Sequence, residues 1–130
     1  MPGKNYEMTT SNIYSKKDLA DFREVVQDKL DEAKKQMNFL QDQLDGVNNH
    51  LEEVNVSYGD DSRRNQQRSL LTDRLTRQKR QIRDLERALV RIENGSYGIC
   101  TETGDLIARE RLMAMPTATL SLKAKESSGR

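Results

Sequence analysis

Few side chains in this sequence could carry out chemistry, and they are widely separated. The most prominent acidic pair is Asp60-Asp61, set between Gly59 and Ser62. Two uses compete there. Asp60, Asp61 or Ser62 can cap the start of a helix, whose dipole favours acids in its first turn. Alternatively, carboxylates at the end of a long rod can be offered to a metal ion or to basic groups in a deep cleft. One acid can cap while the other projects. The single histidine, His50, has no cysteine close to it in sequence and reads as a surface residue, not a metal ligand. Cys100 is the one cysteine, which excludes an intramolecular disulfide and suits a reducing compartment. No nucleophile is paired with a base and no glycine-rich phosphate loop is present, so no enzyme activity is expected.

The acidic pair is positioned by the stretch from Leu19 to Ile92. Apolar residues recur at Leu19, Phe22, Val26, Leu30, Ala33, Met37, Leu40, Leu44, Val47, Leu51 and Val54, steps of three and four that keep them on one helical stripe. A second series, Leu71, Leu75, Gln78, Ile82, Leu85, Leu89 and Ile92, has the same rhythm with one polar member. Folding the chain about residue 59 sets Leu44 against Leu75, Met37 against Ile82, Ala33 against Leu85 and Val26 against Ile92. Toward the turn, Val47 meets Leu71, but Leu51 then meets Gln67 and Val54 meets Arg64, so the apolar seam stops short of the tip. The fold class predicted is mainly α: a long antiparallel coiled-coil hairpin, on the order of 50 Å long at about 1.5 Å per residue.

Charge supports this pairing. From Ser15 to Val56 there are six Lys/Arg against ten Asp/Glu, and from Ser62 to Asn94 ten Lys/Arg against four Asp/Glu, so the arms are expected to attract each other and to select partner and register. The whole chain, 33% charged and 5% aromatic with a net charge of +1, is too polar for a large globular core and exerts no global pull toward nucleic acid or membrane. No apolar run approaches the roughly 18 residues that span a bilayer, and residues 1–14 lack the apolar core of a signal peptide, which together imply a cytoplasmic protein.

In chain order, residues 1–14 read as a flexible lead-in. Ser15 with Asp18 reads as a helix N-cap, opening the hairpin at 15–94 with its tip at 55–62, and Gly59 supplies the turn. Glu93-Asn94-Gly95 is a helix stop. A small head follows at 95–126, in which Ser96 to Ile107 suggests a β-hairpin about a Thr-Gly-Asp turn. A short terminal helix is expected from Pro116 through about Lys125, and residues 127–130 read as a disordered tail.

The head carries a resemblance. Tyr97-Gly98-Ile99-Cys100, then Gly104, Ile107, Arg111-Leu112, Ala114 and Pro116-Thr117-Ala118-Thr119-Leu120, resembles the C-terminal signature of the DksA/TraR proteins, bacterial transcription factors with a coiled-coil hairpin and a four-cysteine zinc head. The positions matching that family's zinc ligands are Cys100, Thr103, Ser121 and Ala124, so one ligand type in four is retained. The zinc-finger-like head is therefore expected to lack metal and to be held by Tyr97, Ile99, Leu106, Ile107, Leu112, Leu120 and Leu122, with Cys100 as a small buried residue. The family's tip pattern, Asp-x-x-Asp-x-Ala, falls here on Ser57, Asp60 and Ser62, with Asp61 as a substitute acid.

The resemblance implies a cytoplasmic regulator that binds bacterial RNA polymerase and inserts its acidic tip into the secondary channel, toward the active-site magnesium. It also implies guanosine tetraphosphate as an effector, for which Lys16, Lys17, Arg91, Arg109 and Arg111 are candidate contacts. A hairpin that satisfies its own seam is expected to be a monomer without sequence-specific DNA binding. A non-catalytic scaffold pairing its outer faces with other helices is the alternative, and nonspecific nucleic-acid binding through the arginine-rich arm is a third reading.

Overall fold

The structure, a computed structural model, describes the backbone of residues 13–53 and 58–128 and the side chains of 13–49 and 62–126. Two long helices dominate: α1, Lys16–Glu53, and α2, Tyr58–Glu93. Two short ones follow, α3, Arg109–Ala114, and α4, Leu122–Ser128. The expected helical hairpin is thus present. The chain divides into two compact units, one holding residues up to Lys29 together with those from Asp84 onward, the other Leu30–Arg83.

Local chemistry explains the outer ends of the long helices. At the start of α1, the Ser15 hydroxyl accepts the backbone N–H of Asp18 at 3.1 Å and the Ser15 carbonyl accepts that of Leu19 at 2.9 Å, the expected N-cap. At the end of α2, Gly95 takes a φ of 79°, so Ser96 N–H reaches back to Arg91 C=O at 2.9 Å and Gly95 N–H to Ile92 C=O at 3.3 Å. This pair of reversed bonds is a Schellman stop, and it needs a residue tolerant of the left-handed region.

In the unit Leu30–Arg83, Leu40, Leu71 and Leu75 form a buried cluster with Met37, Leu44 and Val47 packed against it. These are the layers that folding about residue 59 brings together. The layers around Leu51 and Val54 lie outside the described side chains.

In the other unit, Phe22, Val26, Leu85, Ala88 and Ile92 are buried. Here the strict heptad misplaces one residue: Leu89 is only half-buried, and Ala88 is fully enclosed. An undistorted helix drifts about 20° per heptad from a 3.5-residue repeat, so a seam followed over several turns moves to the neighbouring position.

The head is built from turns. Its expected β-hairpin reduces to one antiparallel bridge, Ile99 with Leu106, framed by Cys100 N–H to Asp105 C=O at 2.7 Å and Ile107 N–H to Gly98 C=O at 2.7 Å. The terminal helix begins at Leu122, not Pro116, and runs to Ser128, while α3 occupies a stretch for which no helix was expected. Leu122, expected inside, is 57% exposed as the first residue of α4, whereas Ala118 and Ala124 are buried. Small residues hold the interior here because backbone turns pack close together.

An aromatic cluster joins the head to the helix ends. Tyr97 is fully buried and lies 5.2 Å from Phe22 between ring centroids; Tyr14 meets Phe22 edge-on at 5.0 Å. Tyr97 donates its hydroxyl to Pro116 C=O at 2.8 Å, and Tyr14 donates to Ile107 C=O. Tyr14 is therefore a structural residue and not part of a flexible lead-in; residues 1–12 of that segment lie outside the described residues. Gly98, with φ 81°, passes so close that a Cβ there would stand 2.6 Å from the Tyr14 ring.

Burial pushes the Tyr97 phenol up to about 12, against the opposing pull of Arg91. The folded protein therefore holds this proton after the unfolded chain has lost it near pH 10, and stability falls as pH rises from about 10 to 12. Tyr97→Phe should cost about 1–3 kcal/mol at neutral pH by leaving the Pro116 carbonyl unpaired. It should also flatten that alkaline decline, as measured by urea denaturation between pH 8 and pH 11; an equally steep decline in the variant would contradict this assignment.

Candidate functional site

Three groups of residues were candidates for function, and the structure treats them differently. At the tip, α2 starts at Tyr58, so Gly59, Asp60 and Asp61 lie in its first turn and Ser62 follows within it. This corrects the reading of Gly59 as the turn and of Asp60, Asp61 or Ser62 as the preceding cap. Acids are stabilised by the helix dipole in a first turn as well as at a cap, which is why the two were confused. Ser62 is exposed. Ser57 lies outside the described residues, as do the side chains of His50, Asp60 and Asp61.

The five cations do not form one site. Arg109 is held by Asp18 at 3.1 Å and Asp21 at 3.4 Å, with its guanidinium carbon 5.2 Å from the centroid of the Phe22 ring. Arg111 donates Nε–H to Leu120 C=O at 2.9 Å. Both are thus engaged in holding the head. Lys16 lines a shallow groove with Leu19, Arg23 and the Ile92–Gly95 segment. Arg91 lines a separate groove of about 270 Å³ with Asp84, Arg87, Thr117 and Thr119, and partial burial lowers its pKa. Lys17 is exposed and lines neither groove.

The third group is Cys100, Thr103, Ser121 and Ala124, and these the fold does draw together. Cys100 and Ala124 are both buried. The Cys100 sulfur accepts the Ser121 N–H at 3.4 Å and the Thr103 hydroxyl, with the N–H groups of Thr103 and Glu102 also directed at it. Those donors, Thr103 first, pull the thiol down to about 6 against the desolvation that opposes them. Thr103 accepts Asp105 N–H at 3.3 Å, and Ser121 caps α4 by accepting Ala124 N–H at 3.2 Å. Thr101 ties the two loops through its N–H to Thr119 C=O at 2.9 Å.

This arrangement has the form of a metal finger, and comparison with known proteins agrees. A family described as the prokaryotic dksA/traR C4-type zinc finger matches residues 95–128. The solved structure of transcription factor DksA2 from Pseudomonas aeruginosa aligns over 86% of this chain and 83% of its own, with a TM-score of 0.78 and 29% identity. The chain resembles the DksA/TraR proteins in the sequence of its head and in its fold. The RNA polymerase-binding transcription factor DksA of Caulobacter vibrioides is 52% identical over 50 residues, which is 38% of this chain and 35% of that protein. General stress protein 16O of Bacillus subtilis is 28% identical over 122 residues, 89% of this chain and 66% of that protein. The chain thus spans about a third of the Caulobacter relative that it matches.

The family's zinc does not fit the residues present. The four positions supply one thiol, two hydroxyls already bonded within the protein, and a methyl group, whereas a closed structural zinc site uses four sulfur or nitrogen ligands. Among the described residues, no group of three or more His, Cys, Asp or Glu side chains could hold a metal.

Sequence reasoning missed Tyr14 and the role of Arg109. Tyr14 directly precedes the Ser15 cap, the position from which an apolar side chain often staples a helix start, and that signal would have found it. Arg109 carried no local signal, because its acids lie 91 and 88 residues away.

Because the four positions converge, restoring the thiols should restore a site. The triple variant Thr103→Cys, Ser121→Cys, Ala124→Cys is expected to bind one zinc and to show the sulfur-to-metal charge-transfer bands of a tetrahedral thiolate complex when loaded with cobalt. A triple variant that folds yet binds no metal would show that the positions do not share one tetrahedral geometry.

Proposed function

We propose that this chain is a cytoplasmic, non-catalytic transcription regulator that binds bacterial RNA polymerase as a monomer, with the hairpin tip entering the secondary channel. The likeness to the DksA2 transcription factor, which extends over 86% of the chain, carries this reading. The Caulobacter relative is an RNA polymerase-binding transcription factor, which supports it. Asp60 and Asp61, in the first turn of α2, are the proposed tip acids, flanked by Ser57 and Ser62. Their carboxylates would act near the polymerase's catalytic magnesium and alter initiation without contributing to binding energy. For a guanosine tetraphosphate effector, Lys16, Lys17 and Arg91 remain the proposed contacts, since Arg109 and Arg111 already hold the head.

The head is proposed to fold without zinc. The donor set at Cys100, Thr103, Ser121 and Ala124 supports this, since the Thr103 and Ser121 hydroxyls are already bonded within the protein and Ala124 offers no donor atom.

Labelled protein should bind core RNA polymerase saturably and be displaced by a competitor that occupies the secondary channel. The double variant Asp60→Asn, Asp61→Asn should bind equally well and lose its effect on initiation. Absence of binding at micromolar concentration would defeat the polymerase reading, whereas an unchanged effect on initiation would remove only the acids from it. Separately, a strong chelator should leave the melting temperature unchanged and metal analysis should find no stoichiometric zinc; a chelator-induced drop in melting temperature would refute the metal-free head.

A further inference from the structure

In the unit Leu30–Arg83, two arginines of α2 do not meet the acids of α1. The opposite charges of the two arms were expected to meet, yet among the described residues Arg74 and Arg77 make no ion pair. An ion pair between the arms that does form, Arg23 with Glu93 at 3.9 Å, belongs to the other unit, is exposed and runs in the opposite sense, with the cation on α1. Arg74 and Arg77 instead line an open groove of about 480 Å³ together with Gln36, Phe39, Leu40, Gln43, Gln78 and Gln81. No carboxylate lines it.

The composition of this groove is specific. Phe39 is 59% exposed, next to the buried Leu40, so its ring is spent neither on the seam nor on the aromatic cluster of the head. Gln36, Phe39 and Gln43 share one face of α1 at steps of three and four, and Arg74, Arg77, Gln78 and Gln81 share the facing stripe of α2. One exposed aromatic face, two unpaired guanidinium groups a single turn apart and four amides around them form a recurrent combination. In single-strand recognition, a base stacks on the ring, phosphates meet the cations, and amides donate to and accept from the exposed base edge. A helical acidic peptide could pair with the arginines, but its backbone bonds are already satisfied internally, leaving the amides with less to read. Duplex nucleic acid could not offer a base face to Phe39.

The geometry points to a binding site for single-stranded nucleic acid in this groove, with Phe39 as the stacking platform and Arg74 and Arg77 as phosphate contacts. The site is a function separate from polymerase binding, and its failure would leave that reading intact.

Fluorescence anisotropy with labelled oligouridylate and oligodeoxythymidylate of about 12 nucleotides tests it, using the full chain at about 50 mM salt. Saturable binding of at least one single strand is expected. A stronger RNA arm identifies RNA as the ligand and a stronger DNA arm identifies DNA, and either upholds the site. Phe39→Leu should weaken binding by about five- to a hundredfold while leaving the helical circular dichroism unchanged. Arg74→Gln with Arg77→Gln should reduce the slope of log affinity against log salt by about 1.4. The proposal is overturned if neither strand binds, if Phe39→Leu binds as the parent does, or if a duplex binds as tightly. Displacement of the strand by poly-glutamate at equal charge concentration would assign the groove to an acidic protein and also overturn it.

Discussion

The contact between the buried rings of Phe22 and Tyr97 underlies the unit that contains the head. Phe22 belongs to the first turns of α1, whereas Tyr97 immediately follows the Schellman stop of α2. Their meeting fixes where the chain emerges from the helices and which way it then turns. Tyr14 closes one side of the pair, and Arg109, neutralised by Asp18 and Asp21, lies against the Phe22 ring on another. The Tyr97 hydroxyl then reaches the loop before α4 through Pro116. A few aromatic side chains thus organise a segment whose only helices among the described residues are two short ones, in a protein whose aromatic content is only 5%.

Around the four positions that match the family's ligands, directional hydrogen bonds link the loops. A zinc ion would impose one geometry on four sulfurs at once. Here the same backbone path is specified piecewise: Thr103 and Ser121 each satisfy one loop while donating toward Cys100, and Ser121 at the same time starts α4. Each link is weak, on the order of 1 kcal/mol, and none is individually decisive. The buried alanines at 118 and 124 let the loops approach closely enough for those links to form.

The long helices were legible in the sequence because their determinants are local. A serine followed three residues later by an acid marked the start of α1, a glycine past the last turn marked the end of α2, and steps of three and four marked the seam. Failures occurred where a determinant was distributed. Choosing Ala88 over Leu89 required following the drift of an α-helix against a heptad, and the start of α2 at Tyr58 could not be separated from a cap at Asp61 by residue type alone. In the head, β-branched residues flanking a Thr-Gly-Asp turn suggested strands, but the loops left no partner beyond a single bridge. Charge counting on the arms gave totals but no pairings, since net attraction does not say which side chains face each other. Of the candidate sites, the four-position cluster was readable through the head's resemblance to a known family, whereas the groove beside Phe39 required knowing which residues of two distant segments share a face.

The hydrogen bond from Tyr14 to Ile107 spans 93 positions in sequence. Closing so long a loop in an unstructured chain is entropically unfavourable, although the penalty grows only logarithmically with length. The hairpin changes that problem, because each layer of helix pairing formed from the turn outward shortens the span still to be closed. The contacts of Tyr14 and Arg109 are non-local in the extended chain and become nearly local once α1 and α2 have paired.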